Sequence, residues 1–409
     1  MKLRHLTMAC LPLISLLFVA CGHDSDDDDP TASEEAIKSN HVAMAFASYS
    51  DSLSAAQDLQ SAVNVLIASP SETALEDARA AYKAARVPYQ QSEIMRWDTA
   101  ITLNNDLSAD GGPASVDEWE GQVNAWPLDE NHIVSLIQGS EEINSDLLIA
   151  QNGEGGEANV TTGVHAVEFM LWGQDLNGTG PGAGMRPFTD FANDGSCADA
   201  FCERRAAYLK TATDLLVADL TEMVAEWSPQ AETTQGTLAY NFLNSNLALD
   251  YIVGSMVVMA TDELASARMG AGLTLGDPEE EHDCFSDLSH VAIYYNFQAV
   301  RNAFYGRYAD VSGTSLADLV RSKNSATFQT LDAAFNSIEE KMLALYELGE
   351  RDVDPIKFDQ IIGQGADGAE RQLAEAASAE LVALNTEFLN LKELLSLVEL
   401  STDGSGDGD

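Results

Sequence analysis

Between Leu373 and Val398 apolar residues return in steps of three and four: Leu373, Ala377, Leu381, Leu384, Phe388, Leu391, Leu395 and Val398. That spacing puts one apolar stripe on a helix of about seven turns, and such a helix is stable in water only when its stripe is buried against others. Leu209, Ala212, Leu216, Leu220, Met223 and Trp227 repeat the pattern, and similar stretches cover 34–68, 71–96, 235–268, 285–308 and 325–348. Alternating runs rich in Val, Ile and Thr are hard to find. The expected fold is therefore all-α. It divides into a helical bundle over 35–228 and a second over 229–400, with the boundary at Ser228-Pro229 the weakest part of the reading. Pro88 has no amide hydrogen to donate, so it is expected to kink or restart the second helix. Gly- and Pro-bearing loops at 104–127, 152–162, 173–195, 270–283 and 349–368 are longer than bundle connections require, which suggests that they carry function.

Charge narrows the partners. Asp and Glu number 66 against 21 Lys and Arg, a net charge of −45 over 409 residues. Such a surface repels phosphate and argues against nucleic acid, while 45% hydrophobic residues argue against wholesale disorder.

The ends of the chain read as targeting and solvation. A short basic start and the apolar run from Leu6 to Ala20 fit a signal peptide over 1–20, too short for a membrane span. Leu16-Leu17-Phe18-Val19-Ala20 before Cys21 is close to a lipobox, with Leu17 four places before the cysteine instead of the usual three. This predicts cleavage before Cys21, its lipidation, and an acidic tether over 21–34. Gly22, where an Asp would retain the protein at the inner membrane, points to the outer membrane of a Gram-negative envelope. Residues 401–409 read as a disordered acidic tail. Among the remaining cysteines a Cys197–Cys202 disulfide is expected in an oxidising compartment, with Cys284 an alternative partner for either.

The richest stretch is Gly163-Val164-His165-Ala166-Val167-Glu168-Phe169-Met170-Leu171-Trp172-Gly173-Gln174-Asp175. On a helix His165 and Glu168 share a face, close enough to hold one metal ion. The spacing leaves a second reading open, a buried and hydrogen-bonded histidine at a helix start, and this is the commoner one. Ala166 and Phe169 exclude the zinc-peptidase patterns, which need Glu beside the first His or His beside the Glu. Further donors sit in Glu279-Glu280-Glu281-His282-Asp283-Cys284-Phe285-Ser286-Asp287, where a solvated acidic cap is the plain alternative. Glu93 lies after Pro88 among apolar neighbours, with Arg96 or Arg86 as its ordinary partner. No Ser-His-Asp order, phosphate loop or dinucleotide fingerprint is convincing.

Gly-x-His-x-x-Glu followed by Phe169-Met170-Leu171-Trp172-Gly173-Gln174-Asp175 resembles the signature of the imelysin family, especially its iron-regulated protein A branch. Asn124-Ala125-Trp126-Pro127-Leu128-Asp129, Arg186-Pro187-Phe188-Thr189-Asp190-Phe191 and Glu281–Asp287 extend the resemblance across 35–400. It implies two bundles built from a duplicated four-helix-bundle-like unit, a functional cleft where they meet, and exported lipoproteins linked to iron acquisition. Transferred by position, His165 and Glu168 are metal ligands, Glu93 a third, and Asp283 or His282 a fourth. The expected cofactor is a divalent or ferric ion, iron first and zinc as an alternative, since mixed carboxylate and imidazole donors do not choose the metal. The expected partners are that ion, the membrane through the lipid, and envelope iron-uptake proteins. Two other functions stay open: a metallopeptidase in which Glu168 or Glu93 activates water, and a non-catalytic receptor for haem, a siderophore or a protein.

Overall fold

The computed structural model describes residues 32–95, 119 and 121–398. The expected signal peptide, Cys21, the tether as far as Thr31 and the 401–409 tail lie outside the described residues.

The all-α expectation holds. The helices are α1 (Glu34–Ala68), α2 (Glu72–Ser92), α3 (Glu130–Gln138), α4 (Ser145–Gln151), α5 (Gly163–Trp172), α6 (Cys202–Trp227), α7 (Leu238–Asn244) and α8 (Ala248–Val257). A π-wound segment, Val258–Ala271, continues α8 into the single turn α9 (Gly272–Leu275). Then come α10 (Ser289–Tyr305), α11 (Leu316–Lys323), α12 (Ser325–Glu350), α13 (Phe358–Ile362) and α14 (Ala369–Leu395). Among the described residues, strand structure is confined to the antiparallel pair Arg307–Tyr308 and Val311–Ser312.

The helix starts follow local chemistry. Ser33 and Ser71 each accept a hydrogen bond at 3.2 Å from the amide three residues on, satisfying donors that the first turn leaves open. α2 runs through Pro88 to Ser92 without restarting. The α14 stripe also differs from expectation. Ala374, Ala377, Leu381, Leu384, Phe388 and Leu391 are buried, whereas the helix ends at Leu395 and Val398 is 70% exposed. Ser396 adopts the left-handed conformation (φ 58°), which turns the chain off the helical face. Each buried Leu or Phe of such a stripe contributes about 1.5–3 kcal/mol.

α1 packs along α2 and α6, α12 along α14, and α10 touches both α2 and α12. Two apolar cores result. One gathers Ala45, Trp227, Met256, Phe297, Phe335 and Phe388; the other gathers Leu59, Leu75, Ile133, Met170, Leu209 and Phe285. Their seam crosses single helices. Tyr82 and Ala85 of α2 belong to the second core and Tyr89 to the first, and on α5 Val164 faces the first while Ala166 and Val167 face the second. Polar side chains at that seam sit between two apolar masses. A disulfide joins Cys197 to Cys202, whose Cα atoms are 6.1 Å apart, while Cys284 is a free, buried thiol.

Candidate metal centre

Gly163 starts α5 at φ +78°, and a Cβ there would collide with the backbone carbonyl of Val123. Only glycine satisfies both demands, which explains the first residue of the Gly-x-His-x-x-Glu pattern. From that start every residue of α5 is buried.

His165 and Glu168, one turn apart, meet: His165 Nδ1 lies 3.1 Å from Glu168 Oε2, and both side chains are fully buried. Glu168 Oε1 accepts two hydrogen bonds from Ser286, from its amide at 2.9 Å and its hydroxyl at 2.6 Å. Ser286 belongs to the chain between Glu281 and Leu288, which is buried throughout although it is not helical. The same segment delivers Asp283. One donor atom each from His165, Glu168 and Asp283 lies within 4.8 Å of the other two. His165 Nε2 is buried without a hydrogen-bond partner among the described residues. An imidazole nitrogen left so beside two carboxylates is a liability unless something else uses its lone pair or proton.

The charges form a linked network. Arg86 Nη2 lies 2.8 Å from Asp283 Oδ1 with both side chains buried, and Arg86 Nη1 donates to Asn124 Oδ1 at 3.3 Å. Arg268, projecting from the π segment, lies 2.8 Å from Glu93 and 3.0 Å from Glu263, and donates to Asn296 at 2.6 Å. Gln90 joins the two halves: with its amide oriented by its neighbours, it donates to Glu93 and accepts from Arg86. Glu93 is thus held on Arg268 and is not in the His165–Glu168–Asp283 group. His282 packs edge-on against His165, ring centroids 4.5 Å apart, with Nδ1 3.6 Å from Asp283 Oδ2. Trp126 closes over both imidazoles at 4.9 and 6.2 Å.

Burial, followed by the Arg86 charge, pushes the His165 imidazole down to about 3, so it is neutral and its ring is able to act as a ligand. Burial and then the Asp283 charge hold the Glu168 carboxyl well above the usual carboxylate range, opposed by the Ser286 hydroxyl and by Arg86. Burial disfavours the Arg86 cation, but Asp283, Tyr82, Glu93 and Glu168 outweigh it and its pKa is raised. One imidazole with the carboxylate oxygens of Glu168 and Asp283 suits a di- or trivalent metal ion.

Sequence reasoning did not assign roles to Arg268, Ser286, Gln90 or Asn296, and it treated Arg86 only as a partner for Glu93. Two signals pointed to them. Arg86, Gln90 and Glu93 recur at steps of four and three on one face of α2. Arg268 stands in a stretch of small and apolar residues, where a cation has to be paired.

A family model matches this chain over residues 45–388, and its description is Imelysin, designated Peptidase_M75. The chain belongs to the imelysin family. Two solved structures share the imelysin fold of this chain. One is described as an iron-regulated protein A precursor from Parabacteroides distasonis ATCC 8503: TM-score 0.62, 19% identity, 88% of this chain and 94% of that chain covered. The other is an imelysin-like protein from Psychrobacter arcticum 273-4: TM-score 0.54, 15% identity, 89% and 94% covered. A comparison with curated proteins gives no match.

Proposed function

We propose that this imelysin-family chain is a lipid-anchored protein of the bacterial envelope that binds a metal ion, iron first, and serves its uptake. The observation that carries the reading is that one donor atom each of His165, Glu168 and Asp283 lies within 4.8 Å of the other two, while the buried His165 Nε2 lacks a hydrogen-bond partner among the described residues. His165 and Glu168 would hold the ion with Asp283 as the third donor. His282 is the nearest further imidazole. Ser286 would orient Glu168, as outer hydrogen bonds orient ligating carboxylates elsewhere. Glu93 would join only by leaving Arg268, so its role in this reading is to balance the guanidinium. The description of the Parabacteroides neighbour as iron-regulated favours iron. Leu16–Cys21 and the acidic tether support the lipid anchor, and Gly22 supports the outer membrane, facing the periplasm, as its location.

The peptidase designation of the family model supports a second reading, hydrolysis at the same site. Against it stand Ala166 and Phe169, which occupy the places where the zinc-peptidase patterns need Glu beside the first His or His beside the Glu. Metal analysis of untagged protein tests the main reading. Wild type is expected to carry close to one equivalent of iron after loading, and His165→Ala/Glu168→Ala much less; equal, substoichiometric metal in both overturns it. Chelator-sensitive cleavage of an unfolded protein, lost in Glu168→Ala, would instead establish the peptidase.

A further inference from the structure

Beyond the His165 centre, three more carboxylates converge. Glu281 and Asp287 come from the two ends of the buried segment before α10, and Asp359 from the first turn of α13. One oxygen from each lies within 4.8 Å of the others. All three side chains are buried, at 1%, 3% and 0% exposure. Glu281 Oε2, Asp287 Oδ1 and both Asp359 carboxylate oxygens lack a hydrogen-bond partner among the described residues. Lys357 favours the Asp287 and Asp359 carboxylates through its charge, but its ammonium is directed to Glu350 at 3.6 Å and to His290 at 3.4 Å. Three buried carboxylates with four oxygens lacking a partner among the described residues call for protons or a cation.

We propose that Glu281, Asp287 and Asp359 form a second cation site, distinct from the His165 centre, that takes a hard, calcium-class divalent ion. The donors are all oxygen, which selects calcium, magnesium or manganese over the softer metals. Calcium takes oxygen donors in flexible geometry, whereas magnesium demands a near-ideal octahedron and keeps most of its waters, which favours calcium at a buried, all-carboxylate site. Three carboxylates, each able to bind through one or two oxygens, approach the six to eight donors that calcium takes. The same segment carries Asp283 and Ser286 between Glu281 and Asp287, so an ion on the triad would clamp the stretch that presents them to His165 and Glu168. The site is thus a structural one that supports its neighbour.

Calorimetric titration of the chelator-stripped chain with calcium chloride tests this, in parallel with Asp287→Asn/Asp359→Asn and His165→Ala/Glu168→Gln. One calcium per chain is expected in wild type, with a raised thermal midpoint. The His165 variant should retain that binding, and the triad variant should lose it or weaken it at least tenfold. Glu281→Gln replaces the triad variant if that protein fails to fold. Without calcium, the carboxamide variant is expected to melt no lower than wild type, because it removes unpaired buried charge. Absence of calcium binding and of a midpoint shift in folded wild type at about 10 mM calcium, well above the weakest Kd expected of such sites, overturns the proposal. So does binding unchanged by the triad substitutions or lost only in the His165 variant, which would assign calcium to the other centre.

Discussion

Arg86 and Asp283, 197 positions apart in the chain, pair at 2.8 Å with the guanidinium 2% exposed and the carboxylate fully buried. α2 supplies the cation and the segment before α10 the anion, so this pair ties the site to the packing of the bundle. Breaking such a pair from one side leaves a buried charge without compensation, at a cost of about 3–5 kcal/mol. Arg86→Met should therefore lower stability by that order in urea unfolding of metal-free protein. Arg86→Met/Asp283→Asn should recover part of the loss. Equal stability of wild type and the single variant would show that the pair contributes little.

Ser286 offers a finer probe, since its amide still reaches Glu168 at 2.9 Å when the hydroxyl at 2.6 Å is removed. Ser286→Ala should cost about 1–2 kcal/mol of stability. It should also weaken iron binding by about 10–100-fold, the usual effect of losing an outer hydrogen bond to a ligand. Unchanged affinity by competition with a chelator would place Glu168 outside the ligand set.

Gly163→Ala is expected to be among the most damaging small changes in the chain. It combines a positive φ with a collision against Val123, and strain of this kind is worth about 1–3 kcal/mol before the clash is counted. Circular dichroism melting should show a marked loss, with iron content falling alongside as the start of α5 shifts.

His41 gives the acid dependence a named source. It is buried against Phe242, ring centroids 4.7 Å apart, and neither ring nitrogen has a hydrogen-bond partner among the described residues. Burial lowers its pKa to about 3. The unfolded chain, with an ordinary histidine near pKa 6.5, binds the proton more readily, so His41 makes stability fall as pH drops from about 6.5 toward 3. His41→Phe should flatten that part of the stability–pH profile, measured by urea midpoints across the range. An identical slope in the variant would assign the acid sensitivity to other groups.

The helices were legible because their pattern is local. Steps of three and four and the serine caps at Ser33 and Ser71 act within a turn or two of chain. Departures came where tertiary contact outweighed the local rule. Packing carries α2 through Pro88, and the left-handed Ser396 ends α14 before Val398. The pairing of His165 with Glu168 was likewise legible, since both lie on one helix face.

The rest of the site joins segments that the sequence holds far apart. Nothing in the spacing of Asp283, Ser286 or Arg86 shows that they meet Glu168, and Arg268 reaches Glu93 across 175 positions. The sequence by itself determined an all-α chain, an acidic surface unsuited to nucleic acid, and a His–Glu pair one helical turn apart. Only the tertiary structure decided which carboxylates are neutralised by arginine and which are left beside His165 or gathered at Glu281. Buried charge is governed by distance in three dimensions, and a single chain order leaves that distance free.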